Sequence, residues 1–125
     1  MASETANSHT GGCLCGRVSY RLSGAIEFPH VCSCRMCQSW SGAPLVGWIE
    51  VLRTDIAVEG EVPVTYRSSP STVRGFCGTC GSSIFAADDG SDSISITIGS
   101  LAAGHAIEPR SHSFADPTPA WLPAP

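Results

Sequence analysis

Residues 71–87 read STVRGFCGTCGSSIFAA. Ser71–Phe76 has the pattern of a strand running into a turn at Cys77, and Ser82–Ala87 leads back out of it. The pair predicts a hairpin whose turn, Cys77-Gly78-Thr79-Cys80, has the form of a zinc knuckle. Gly81, directly after the second cysteine, permits a left-handed backbone and lets amides approach the thiolates.

Outward from this hairpin the chain is a series of short strands. Ser93–Ile98 alternates strictly, with Ile94, Ile96 and Ile98 facing inward, and it follows the turn signal Asp88-Asp89-Gly90. Upstream, Gly16–Ser23 alternates with Val18, Tyr20 and Leu22 on one face and Arg17, Ser19 and Arg21 on the other. Leu45–Leu52, with Trp48 and Ile49, is an apolar strand candidate, and Ile56–Val58 and Val64–Arg67 are shorter ones. Cys34–Ser39 predicts only a helical turn, stopped by Gly42 and Pro44. No stretch carries a long helical period, so the expected class is mainly β. Residues 1–10 read as a flexible polar arm and 11–125 as one domain. Its proline-rich tail, Glu108–Pro125, is expected to be extended and docked by Phe114 and Trp121.

The seven cysteines fall into three clusters: Cys13-Leu14-Cys15, Cys32-Ser33-Cys34-Arg35-Met36-Cys37 and the knuckle. Cys13-Leu14-Cys15 is followed by Gly16, as the knuckle is by Gly81, and the two pairs together supply four ligands for a closed tetrahedral zinc site. Such a site clips the first strand to the late hairpin and adds to folding free energy. The plainer alternative is four buried free cysteines packing as small hydrophobes. The middle cluster has three cysteines and no fourth. Three ligands plus an exchangeable position is the arrangement of a catalytic zinc. Two other readings stay open for it. One is a structural site closed by His30, His105, His112 or Glu108; the other is a metal-free, redox-active thiol cluster. Arg35, inside the cluster, and Arg74 are candidates to meet a substrate carboxylate. Trp40, Trp48 and Phe85 read as core, Asp88, Asp89 and Asp92 as a solvated turn. Ser82-Ser83 lacks an obvious base, so a serine nucleophile is not expected.

Bulk properties narrow the function. The formal net charge is −4 and all seven basic residues are scattered arginines. Nucleic-acid binding needs clustered positive charge, and so does a polybasic membrane surface. Neither partner is expected. No apolar run approaches a membrane span, and residues 1–12 lack the basic and apolar regions of a signal peptide. The expected location is the cytoplasm, where close cysteine pairs favour metal or catalysis over disulfides.

Gly11-Gly12-Cys13-Leu14-Cys15-Gly16-Arg17-Val18-Ser19-Tyr20 resembles the opening of the glutathione-dependent formaldehyde-activating enzyme family. Cys32–Cys37 followed by Ser41-Gly42-Ala43-Pro44 resembles its second motif, and Arg74–Ser82 its third. Ile98-Gly99-Ser100-Leu101, Pro109, His112 and Trp121 are similar to its C-terminal part. The resemblance implies a mainly β "tent" fold with two zinc ions per chain. Cys13, Cys15, Cys77 and Cys80 would hold the structural ion, and Cys32, Cys34 and Cys37 the reactive and more labile one. It implies a carbon–sulfur lyase that adds a small thiol, glutathione first, to formaldehyde or another small carbonyl compound. Two positions depart from the usual pattern: Gln38-Ser39 stands where paired arginines are common, and Ala102 where an aspartate is. The competing expectation is a zinc-stabilised protein-binding module without turnover.

Overall fold

In the computed structural model, which describes residues 8–125, strands dominate and form two sheets. β1 (Ser8–Gly12), β2 (Ser19–Ser23) and β5 (Ile56–Val58) form an antiparallel sheet in the order β1-β2-β5. The second sheet has seven strands: β3 (Glu27–Cys32), β4 (Val46–Leu52), β6 (Val64–Arg67), β7 (Thr72–Phe76), β8 (Ser83–Asp88), β9 (Ser93–Thr97) and β10 (His112–Ser113). Their order is β10-β3-β4-β9-β8-β7-β6, antiparallel except for the short parallel pairing of β10 with β3. The mainly β class and the tent architecture are therefore as expected.

The alternating strands set the core. Val18, Tyr20 and Leu22 are each 1% exposed, and they pack with Ile49, Val51, Ile84, Ile94 and Ile96 of the larger sheet. Register explains the match: Ile49 lies opposite Ile96, and Val51 opposite Ile94. Burying an aliphatic side chain of this size is worth at most about 1.5–3 kcal/mol. Tyr20 brings a hydroxyl into this core, and Ser100 Oγ meets it at 2.6 Å.

A strand has period two, so sending Ile49 and Val51 inward sends Trp48 and Glu50 to the other face. Register places Glu50 opposite Ser95 on β9, and Arg74 of β7 opposite Ala86 of β8. This second face carries the polar cleft described below. The helix α1 (Arg35–Ser41) packs at its end. Cys34 caps α1 by accepting the Cys37 amide on its Sγ at 3.2 Å, and Gly42 ends it.

Three local expectations are corrected. Ser8, His9 and Thr10 are not a loose arm: they pair in β1 with Ser23, Leu22 and Arg21, while the rest of the expected arm lies outside the described residues. β3 was not foreseen, because Pro29 and a register shift between Glu27 and His30 hide its alternation. The tail does not dock by Phe114 and Trp121, which are 72% and 73% exposed. It docks through backbone: Val31 donates to the Ser111 carbonyl and Ser33 to that of Ser113, both at 3.0 Å.

Candidate metal centres

The knuckle hairpin forms as its sequence predicts, with β7 and β8 flanking Cys77 and Cys80. The loop before β2 brings Cys13 and Cys15 against it. All four Sγ atoms lie within 4.8 Å of one another. Cys13 and Cys15 sulfurs are 3.6 Å apart, and Cys15 and Cys77 sulfurs 3.7 Å. A tetrahedral thiolate site with bonds of about 2.3 Å spaces its sulfurs about 3.8 Å apart. A disulfide needs about 2.05 Å, and all seven cysteines are free thiols. The spacing fits a metal ion. Backbone amides support it: Val18 donates to Cys13 Sγ at 3.2 Å, and Thr79 and Cys80 donate to Cys77 Sγ at 3.4 Å. Gly16 and Gly81 have φ of +84° and +81°, the left-handed turns their positions anticipate.

Ser82 is a functional residue that the search for a nucleophile passes over. Its Oγ accepts the Leu14 amide at 3.0 Å and lies 3.2 Å from Cys80 Sγ. It therefore ties the two halves of the cluster. The readable signal was its place directly after the knuckle glycine.

The second cluster is Cys32, Cys34 and Cys37, whose sulfurs also lie within 4.8 Å of one another. Among the described residues no histidine, aspartate or glutamate joins them at that distance. His30 is close in sequence, but its Nδ1 donates to the Phe28 carbonyl at 2.8 Å and its ring stacks on Phe28. His112 is bonded through Nε2 to Ser33 Oγ at 2.7 Å. Neither His105 nor Glu108 is part of the group. None of the four candidate fourth ligands lies with the three thiols.

Arg74 occupies the place beside this cluster. It is 5% exposed, and its two terminal nitrogens reach Cys37 Sγ at 3.8 and 3.7 Å. Its Nε donates to Ser68 Oγ at 3.2 Å, and its guanidinium lies over the stacked rings of Trp40 and Trp48. Arg35 is exposed, donates to Gln38 Oε1, and lines a different surface hollow with Pro44 and Pro117. Proximity in sequence misleads here, because α1 turns Arg35 away from the three thiols.

Protonation in both clusters points to a cation. Cys80 is drawn down to about 5, first by the Ser82 hydroxyl and then by backbone amides. For Cys15 the Arg17 amide favours the thiolate, yet burial and the neighbouring thiols outweigh it and push the group up to about 11. Burial pushes Cys32 up to about 12. Cys37 is raised by burial too, although Arg74 opposes this. Burial acts against the Cys34 thiolate, but the Cys37 amide, the adjacent thiols and Arg74 bring the group down. In each cluster some thiols are drawn down while their neighbours are pushed up: Cys13 and Cys80 against Cys15, and Cys34 against Cys32 and Cys37. A divalent ion removes that conflict.

The three-thiol cluster opens into a cleft of about 240 Å³. His30, Met36, Trp48 and Arg74 line it near the sulfurs, and Phe114 lines it as well. Trp48 is thus both core and wall: 3% exposed, it still lines the cleft. Glu50 and Asp88 extend the cleft along the sheet. Glu50 was legible as a lone acid inside the apolar run Leu45–Leu52 but was not singled out.

No helix among the described residues is long and apolar enough to cross a membrane. No curated protein matches the chain significantly. The fold is similar to the crystal structure of a Rhodobacter sphaeroides protein, at a TM-score of 0.63 and 19% identity over 83% of this chain and 99% of that one. A family model described as glutathione-dependent formaldehyde-activating enzyme matches residues 8–117. The chain belongs to the glutathione-dependent formaldehyde-activating enzyme family.

Proposed function

We propose that the protein is a zinc-dependent carbon–sulfur lyase-type enzyme of the cytoplasm that adds a small thiol to formaldehyde or a comparable small carbonyl compound. The observation that carries this reading is the three-thiol cluster without a fourth protein ligand, opening into a cleft. Cys13, Cys15, Cys77 and Cys80 would hold one zinc ion and Cys32, Cys34 and Cys37 a second. The donor set is all thiolate, which suits zinc. When bound at the second cluster, zinc supplies an open Lewis-acidic position that favours the thiolate form of an incoming thiol.

The chain's own residues do the rest. Arg74 donates to Cys37 and offsets the charge of the ligand thiolates. Trp48 and Met36 wall the cleft beside the sulfurs with apolar surface. The Nδ1 of His30 donates to the Phe28 carbonyl, which fixes the ring in the cleft wall. In the addition, a carbon–sulfur bond forms, the carbonyl π bond breaks, and the thiol proton ends on the former carbonyl oxygen. Thiols and formaldehyde combine unaided, so the gain rests on capture and orientation of the two reactants.

Cobalt substitution tests the reading. Binding of a thiol at the second cluster adds a fourth sulfur and should change the thiolate charge-transfer and ligand-field bands. Formaldehyde exchange should run faster with enzyme than in buffer. An unchanged spectrum together with buffer-rate exchange would leave the non-catalytic binding module as the better account.

A further inference from the structure

The cleft has an electrostatic polarity that bears on its substrate. Register along the sheet measures its length. Cys32 lies opposite Val46, and Glu50 is four residues farther along β4, about 14 Å away at strand spacing. The end of the cleft distant from the thiols is built from Glu50, Asp88, Thr72 and the hydroxyls of Ser91, Ser93 and Ser95.

Among the described residues, no arginine of the lining is free to pair with these carboxylates. Arg74 is the one arginine in the lining, and it is held by Cys37, Ser68 and the two tryptophans. Arg53 donates to the carbonyls of Ser91 and Asp88 from outside the lining, and Arg67 is paired with Asp89. Asp88 accepts a hydrogen bond from Thr72 Oγ1 at 2.6 Å. Glu50 is half-buried, and among the described residues its carboxylate has neither a hydrogen bond nor an ion pair. Glu27 stands directly across from it on β3. Like charges placed opposite one another cost stability. A half-buried, unpaired carboxylate facing a second one is an arrangement that a bound cation relieves. Phe114, at the same cleft, adds a largely exposed ring on which a cationic amine can rest.

We propose that the thiol entering this cleft presents a cationic amine, not a carboxylate, at the end distant from its sulfur, and that Glu50 with Asp88 selects it. The inference rests on the thiol-addition reading and adds the substrate class. A doubly carboxylated thiol meets Glu50 and Asp88 at the far end, where among the described residues no arginine of the lining is free to pair with it.

Three related probes that differ chiefly in charge test it on the cobalt-substituted full chain, with the thiolate charge-transfer band read during titration. Glutathione diethyl ester keeps the ammonium and masks both carboxylates. N-acetylglutathione keeps both carboxylates and removes the ammonium. Unmodified glutathione has both features. The diester should bind about tenfold or more tightly than the N-acetyl compound, with glutathione between them. Glu50→Gln should compress that range to about threefold or less. Should Glu50→Gln fold poorly, Asp88→Asn and a salt titration of the wild-type protein serve instead, because a charge-based preference shrinks as ionic strength rises. Equal or tighter binding of the N-acetyl compound overturns the inference, as does a range unaffected by Glu50→Gln. If neutral 2-mercaptoethanol also leaves the spectrum unchanged, the thiol-addition reading falls and takes this one with it. If 2-mercaptoethanol binds but charge makes no difference, only the present inference falls.

Discussion

Arg74 and Cys37, 37 residues apart, meet inside the protein: both terminal guanidinium nitrogens lie within 3.8 Å of the cysteine sulfur. The arginine is buried against two tryptophan rings, and among the described residues no carboxylate pairs with it. Its two terminal nitrogens face the Cys37 sulfur instead, whose thiolate form they favour. Arg74→Met keeps most of the buried volume and removes the donors. It should lower metal affinity at the Cys32–Cys34–Cys37 cluster by about ten- to a hundredfold, the usual effect of losing an outer-shell partner. Chelator competition measures this, with the four-cysteine cluster as internal control. A change under about twofold would reduce Arg74 to a space-filling role.

The two clusters should differ in what they hold together. Cys80 belongs to a site that joins the loop before β2 to the β7–β8 hairpin, across more than 60 residues of chain. Cys80→Ala should unfold or strongly destabilise the domain, since metal binding at such a site is folding free energy. Cys37→Ser, which keeps a polar partner for the buried Arg74, should cost much less stability than Cys80→Ala and still abolish turnover. Thermal denaturation of both zinc-loaded variants decides the matter; equal losses would make both sites structural.

Ser33, between two ligand cysteines, is fully buried and clamped by the tail. Thr118 Oγ1 donates to Ser33 Oγ at 2.7 Å, and Ser33 Oγ donates in turn to His112 Nε2, also at 2.7 Å. His112→Ala leaves a buried hydroxyl short of a partner, a cost of about 1–3 kcal/mol. The expected result is about tenfold faster metal loss from the middle cluster, unchanged retention by the four-cysteine cluster, and partial rescue by His112→Gln. Loss from both clusters at equal rates would show that the tail stabilises the fold in general and not this loop.

Tyr20 predicts an alkaline limb in the stability profile. Burial raises its phenol from 10.0 to about 12. A folded-state value above the unfolded one means the neutral form is favoured by folding. Its contribution is complete below about pH 10 and is lost as pH rises toward 12. Two pH units correspond to about 2–3 kcal/mol. Urea midpoints of zinc-loaded protein should fall across that window, and the fall should be smaller in Tyr20→Phe. Parallel profiles would place the alkaline transition elsewhere.

Much of the fold was legible because strand alternation is local. Val18, Tyr20 and Leu22 announce their face, as do Ile94 and Ile96, and all are buried. β3 was not legible. Its backbone is held by β4 on one side and β10 on the other, partners that no local pattern around Pro29 reveals.

The sequence by itself determined the three cysteine clusters and their family. Ligand spacing and the glycines that follow two of the clusters are properties of a few adjacent residues. The tertiary structure decided what surrounds them. It set Arg74 rather than Arg35 against the three thiols of the middle cluster, kept His30 and His112 out of that cluster, and lined the far end of the cleft with Glu50 and Asp88. The reason is that a strand's register against its neighbours decides which side chains share a face. That register is fixed by core packing and backbone pairing between segments distant in the chain.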